Sequence, residues 1–241
     1  KTKSELYDYL RERKDSTIFI HHDNLYLRNI AWGLNQISYG SEDGLYINGH
    51  VTGNSPYLTF EWKAGKDGEH HEVKTQLIGE YNFANALAAV TIGHFFDVES
   101  GKIDTALKEY TPQNNRSQLK QTADNTLIID AYNATPTSMQ ASISNFHNME
   151  IDNKMLILGD MRELGKDGPK EHQKIVDFLT ECGFKDVMLV GEQFAAARHD
   201  FPTYPDAPAV IEALQKNKPH GKTILIKGSN GIKLSTVIDY L

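Results

Sequence analysis

The chain has 241 residues, 39% hydrophobic and 24% charged, which is enough apolar material for a buried core and one large or two small domains. Disorder is thereby excluded as its bulk state. With 25 basic against 32 acidic residues the formal charge is -7, opposite to the footprint of a non-specific nucleic-acid or anionic-membrane binder. No nucleic-acid or membrane partner is expected, and any phosphate must be gripped locally. The single cysteine, Cys182, cannot close an internal disulfide, and no apolar leader or membrane-length apolar run is present, so a cytoplasmic protein is expected. The chain opens at Lys1 rather than methionine, consistent with a fragment.

Taken in chain order, Leu6, Tyr9 and Leu10 predict a helix within 3–13, Ser16 to Ile20 a strand, and Leu25 to Ile30 a helix capped by Asp23-Asn24. Alternating apolar residues at 36–39, 45–51, 57–62 and 72–77, separated by Gly, Asn, Asp and Pro, predict the strands of a meander. An Ala-rich helix over 82–96 and another over 103–110 follow. Thr111 to Asn115 is polar and contains Pro112, the best candidate for a domain boundary. Beyond it, apolar runs at 127–130, 154–158, 187–190 and 223–226 alternate with helical stretches at 138–149, 171–181, 207–216 and 234–241. Short buried strands interleaved with helices predict an α/β layer, a doubly wound, mostly parallel sheet.

In such a sheet, ligands gather at the carboxyl ends of the strands. Three polar loops occur there: Asp130 to Pro136, Gly159 to Gly165 and Lys227 to Gly231. Asp130 could accept two ribose hydroxyls, although a helix cap is the commoner use of such an aspartate. Lys227, Gly228 and Ser229 could hold a phosphate or carboxylate, or form an ordinary strand-to-helix turn. Asp160, Arg162 and Glu163 could bind the polar end of a substrate, or form a solvated turn. Asn82 and Asn85 share one face of a helix start, where amides could read a nucleobase edge or merely cap. No histidine has zinc-site spacing, so no metal site is expected, and Cys182 reads as a structural thiol. Tyr57 to Trp62 reads as a sheet face.

These segments together resemble the Mur ligases, most closely the branch that joins D-Ala-D-Ala to UDP-MurNAc-tripeptide. The resemblance rests on residues 1–10 (KTKSELYDYL), 77–89 (LIGEYNFANALAA), Asn115-Arg116, 130–139 (DAYNATPTSM), 158–165 (LGDMRELG), His172 and 225–229 (LIKGS), in family order over nearly the whole chain. It implies a fold of part of the central ATPase-type domain, helices plus β strands, over 1–112, followed by a Rossmann-like C-terminal domain over 113–241. It also implies ATP-dependent amide ligation in peptidoglycan-precursor synthesis through an acyl phosphate, with Mg2+ in phosphoryl transfer, and a full-length monomer. Asn82 and Asn85 would lie near the adenine, Arg116 near the nucleotide, and Asp130 on the ribose. Tyr132, Asn133, the 159–165 loop and, less directly, Lys227 and Ser229 would face nucleotide and dipeptide. Closure about a hinge near Pro112 to Arg116 would shield the acyl phosphate from water.

The family's Gly-Lys-Thr or Gly-Lys-Ser phosphate loop and its upstream metal ligands do not occur in these 241 residues, so no catalytic residue is assigned and the chain alone is expected to be inactive. Asn230 stands where a basic residue is common. Two alternatives stay open: a non-catalytic nucleotide- or peptide-binding module, and another ligase of the superfamily such as a folylpolyglutamate synthase.

Overall fold

A computed structural model describes residues 4–113 and 115–241. Lys1 to Lys3, in the first matching segment, and Asn114, in the predicted linker, lie outside the described residues. The chain divides into two compact units, 1–76 with 80–110 and 77–79 with 111–241. The main division runs between Tyr110 and Thr111.

In the first unit, α1 (Glu5–Arg11) and α2 (Leu25–Ile30) flank β1 (Thr17–His21). The Asn24 side chain caps α2 by accepting from the Leu27 N–H at 3.1 Å, while Asp23 turns instead to Ser41. Strands β2 (Asn35–Gly40), β3 (Ile47–Gly53), β4 (Tyr57–Ala64) and β5 (His71–Ile78) complete a five-stranded sheet in sequential order. It is not the predicted meander. The α2 crossover makes β1 and β2 parallel, β2 and β3 are parallel through two residue pairs, and β3 pairs antiparallel with β4. Sequential strand order in a sequence does not fix strand direction, because a helix of six residues suffices to return the chain. The inward positions Leu58, Phe60 and Trp62 alternate along β4 and are buried with Leu87 and Val90 of α3 (Phe83–Phe95). α4 (Ser100–Glu109) follows.

The second unit holds β6 (Gln118–Gln121), β7 (Thr126–Asp130), α5 (Pro136–Asn148), β8 (Lys154–Gly159), α6 (Gly168–Glu181), β9 (Val187–Val190), α7 (Glu192–Ala196), β10 (Thr203–Tyr204), α8 (Ala207–Lys216) and β11 (Thr223–Lys227), and closes with a 3-10 stretch at Leu234–Tyr240. The sheet order is β10-β9-β8-β11-β7-β6, parallel except for the β6 edge. Alternation divides the strands between two cores. Ile128, Leu156, Leu158, Leu189 and Leu225 pack with Met139, Phe146, Ile175, Leu179 and Phe194 on one side. Leu127, Ile129, Ile157, Val190 and Ile226 pack with Val210, Leu214, Leu234 and Val237 on the other. Helices on both faces of a mostly parallel sheet make this unit doubly wound and Rossmann-like. β11 inserts between β7 and β8, and that insertion builds the site.

At the opposite end of this sheet Asp124 accepts from His220 at 3.0 Å and pairs with Lys218 at 2.7 Å. The Lys218 hydrogen bond, seconded by His220, holds the Asp124 carboxyl below the usual carboxylate range. A lowered folded-state value stabilises at neutral pH and is lost as pH falls below about 4. Asp124→Asn is therefore expected to reduce stability at pH 7 and to converge with the parent in acid; parallel denaturation curves at both pH values would contradict this.

Candidate functional site

Strand register brings the three predicted loops to one rim. Lys227 at the end of β11 stands beside Asp130 of β7 on one side and Leu158 of β8 on the other, and Gly159 pairs with Val190 of β9. Gly228 approaches Gly159 so closely that a Cβ there would lie 3.0 Å from the Gly159 Cα. The Ser229 N–H donates to the Asp160 carbonyl at 3.2 Å, and the Arg162 N–H to the Ser229 Oγ at 2.9 Å. The loops after β8 and β11 are thus tied directly to each other.

The centre of the rim is an ion pair. The Lys227 Nζ lies 2.5 Å from Asp130 Oδ2 and donates to the Asn133 carbonyl at 3.5 Å. Lys227 is 1% exposed, so its ammonium offers no open surface to a phosphate. The anion grip expected from the Lys-Gly-Ser sequence is not what its side chain forms. The side chain of Asp130 is 14% exposed, and Ser142 Oγ donates to the same Oδ2 at 3.3 Å. Among the described residues no hydrogen bond reaches Oδ1 of Asp130, and the only buried side-chain polar atom without a partner is Gln193 Oε1. Oδ1 therefore meets solvent.

Around this pair, Thr135 accepts from the Ser138 N–H and Ser138 answers the Thr135 N–H, a capping box that starts α5 at Pro136, two residues before the predicted start. Tyr132 is 45% exposed, and the Arg116 guanidinium covers its ring at 3.7 Å, a cation–π stack at the mouth of the β7 loop. Asn133 is exposed, with Oδ1 accepting from the Ala134 N–H. Arg162 and Glu163 are exposed, and Glu163 sits at φ 70, a left-handed conformation costly for a residue with a Cβ.

Asp160 departs from the expectation of a substrate contact. It is buried, and its two oxygens accept from the backbone N–H groups of Gln193 and Phe194, both at 3.0 Å, at the start of α7. The sequence signal for a cap was hidden because the capping residue lies in the loop after β8, far from α7 in sequence. Behind it, His172 is fully buried: Nδ1–H donates to the Gly168 carbonyl at 2.7 Å and Nε2 accepts from the Met161 N–H at 3.0 Å. Those two bonds fix a neutral ring, so its 3.5 Å approach to Asp160 is not an ion pair. Ser229 is likewise buried as a tie.

The first unit carries Asn82 and Asn85. Asn85 Nδ2 donates to Asn82 Oδ1 at 3.3 Å, and the Asn82 side chain makes no cap bond to α3. Asn82 is buried and Asn85 exposed. Sequence reasoning missed a buried network here. Asp104 Oδ1 accepts from Trp62 Nε1 and Oδ2 pairs with His71 Nδ1, both at 2.8 Å, while the Trp62 and His71 rings stack at 4.3 Å. A polar residue on the inner side of α4 was the signal available. Asp104→Ala is expected to cost the first unit about 2 kcal/mol or more, because the buried Trp62 indole and the half-buried His71 ring both lose their acceptor; denaturation followed by tryptophan fluorescence checks it, and an unchanged midpoint would contradict it.

Among the described residues no group of three His, Cys, Asp or Glu could hold a metal ion. Burial, followed by the charge of Glu181, pushes the Cys182 thiol up, away from the reactive thiolate. No helix of the described residues is long and apolar enough to cross a membrane.

Known proteins share this fold. Residues 115–230 match the model of the Mur ligase, glutamate ligase domain. The chain is 27% identical over 237 residues to UDP-N-acetylmuramoyl-tripeptide--D-alanyl-D-alanine ligase of Synechocystis sp., covering 94% of this chain and 50% of that protein. The same-named protein of Bacillus subtilis is 28% identical over 203 residues, 77% of this chain and 44% of its own length. The chain thus spans about half the length of these relatives. Among solved structures, a MurF from Acinetobacter baumannii superposes with TM-score 0.80 at 23% identity, over 98% of this chain and 53% of that one. The MurF ligase from Thermotoga maritima in complex with ADP gives 0.77 at 17% identity, over 95% of this chain and 53% of that one. Residues 115–230 are thus similar to the Mur ligase, glutamate ligase domain, and nearly the whole chain is similar to one half of the Synechocystis ligase.

Proposed function

We propose that this chain supplies the nucleotide- and dipeptide-recognition half of a cytoplasmic, monomeric ATP-dependent ligase that adds D-Ala-D-Ala to UDP-MurNAc-tripeptide. Residues 1–112 stand for the later part of its central domain and 113–241 for its C-terminal domain. The observation that carries this reading is the meeting of DAYNATPTSM, LGDMRELG and LIKGS at one strand-end rim. In the reaction the tripeptide carboxylate takes the γ-phosphoryl group of ATP, releasing ADP. The dipeptide amine then attacks the acyl phosphate, forming the amide and releasing phosphate. Such chemistry needs positioning and electrostatics more than a dedicated base.

Within it, the solvent-facing Oδ1 of Asp130 suits a ribose hydroxyl, and the Arg116–Tyr132 stack presents a planar cation near the nucleotide. Asn82 and Asn85 are assigned to the adenine, and Asn133, Arg162 and Glu163 to the dipeptide side. Asp160, His172 and Ser229 shape the loops and Lys227 supports Asp130. Mg2+ would neutralise phosphate charge during transfer, with no ligand set from the described residues. The test is ADP release by the product of the complete reading frame. Release is expected only when both UDP-MurNAc-tripeptide and D-Ala-D-Ala are supplied, and no release from a folded protein would defeat the reading.

A further inference from the structure

We infer that Lys227 is a positioning residue for ribose recognition: buried between β7 and β8, it holds Asp130 by one oxygen and so leaves the other aimed at a nucleotide sugar. This rests on Asp130 being the ribose contact proposed above. Lys227 is 1% exposed and its Nζ has two acceptors, Asp130 Oδ2 at 2.5 Å and the Asn133 carbonyl at 3.5 Å. An ammonium so enclosed has no lone open direction toward a triphosphate, and its charge falls on the carboxylate beside it. Both donors to Asp130, Lys227 Nζ and Ser142 Oγ, converge on Oδ2. A carboxylate pinned at one oxygen has a fixed plane, so Oδ1 is placed rather than free to rotate. A fixed acceptor loses little freedom when a hydroxyl binds, which raises selectivity for that hydroxyl. The same ammonium also touches the carbonyl of Asn133, so the turn carrying Tyr132 and Asn133 is fastened to the same point.

The readout is discrimination between ATP and 2′,3′-dideoxy-ATP, taken as the ratio of their kcat/KM values for ADP release by the product of the complete reading frame. The parent is expected to favour ATP about tenfold or more, the worth of a hydrogen bond to a charged group. Asp130→Ala should bring the ratio close to one. Lys227→Met should raise the KM for ATP with little change in kcat and lower the ratio to about threefold or less. Were Lys227 instead a phosphate contact, both nucleotides would weaken together and the ratio would persist, which overturns the inference. Ser142→Ala removes the other donor to Oδ2 without touching the ion pair and should lower the ratio in part; where Lys227→Met does not fold, an unchanged ratio in Ser142→Ala overturns the inference by itself. A parent that does not discriminate, or an Asp130→Ala ratio equal to the parent's, sinks the ribose assignment instead.

Discussion

Replacing Lys227 with methionine is expected to lower the unfolding free energy of the second unit by about 3–5 kcal/mol, the cost of stripping a buried charge of its partner. The volume of the side chain is nearly kept, so lost packing contributes little. The 14% exposure of the Asp130 side chain moves the effect toward the lower end, because water can reach the carboxylate that is left behind. Pairing the change with Asp130→Leu removes both charges and is expected to recover much of the loss, as hydrophobic replacement of buried ion pairs does. Urea denaturation of the parent, the single variant and the double variant measures all three. A single variant as stable as the parent would mean that the ion pair is not formed in solution.

The second large effect is expected at Asp160. Asp160→Ala removes the acceptor for the N–H groups of Gln193 and Phe194 and should cost about 3–6 kcal/mol, two hydrogen bonds to a charged group at about 1.5–3 kcal/mol each. Gly191 reports on the same contact. It sits at φ 121, and a Cβ there would lie 2.3 Å from the Asp160 carboxylate. Gly191→Ala is therefore expected to be destabilising in the parent through both strain and clash, and less so where Asp160 is already alanine. Additive costs in the double variant would show that carboxylate and glycine do not meet.

Where a segment carries its own stop and start signals, the sequence is enough. The predicted spans of α2, α8 and β9 coincide with the observed ones; Asn24 and Asp206 each cap a helix start, and β9 is a bounded apolar run. Elements defined by partners rather than by pattern were not legible. β6 is the polar sequence QLKQ, a strand because β7 offers it an edge, and β10 is two residues long. α7 is five residues long and begins at a backbone fixed by Asp160 of the loop after β8. Parallel pairing of β1, β2 and β3 was missed for the same reason, since strand direction follows from how the chain returns.

The candidate site divides along similar lines. Its location at the carboxyl ends of β7, β8 and β11 was readable, because polar loops after apolar runs mark that edge in any parallel sheet. Which of its polar residues face a ligand was not. Asp130 and Lys227 stand 97 residues apart, and only the insertion of β11 beside β7 spends the lysine on the aspartate. Asp160, His172 and Ser229 look like ligand groups in a motif, yet all three are buried and bonded to backbone.

The most direct test is hydrogen–deuterium exchange of the complete reading-frame product with and without a non-hydrolysable ATP analogue. Protection is expected over residues 130–135 and at Arg116, at the carboxyl ends of the strands. Protection at the opposite edge, around Asp124 and residues 218–222, with none at 130–135, would contradict a nucleotide site on this rim.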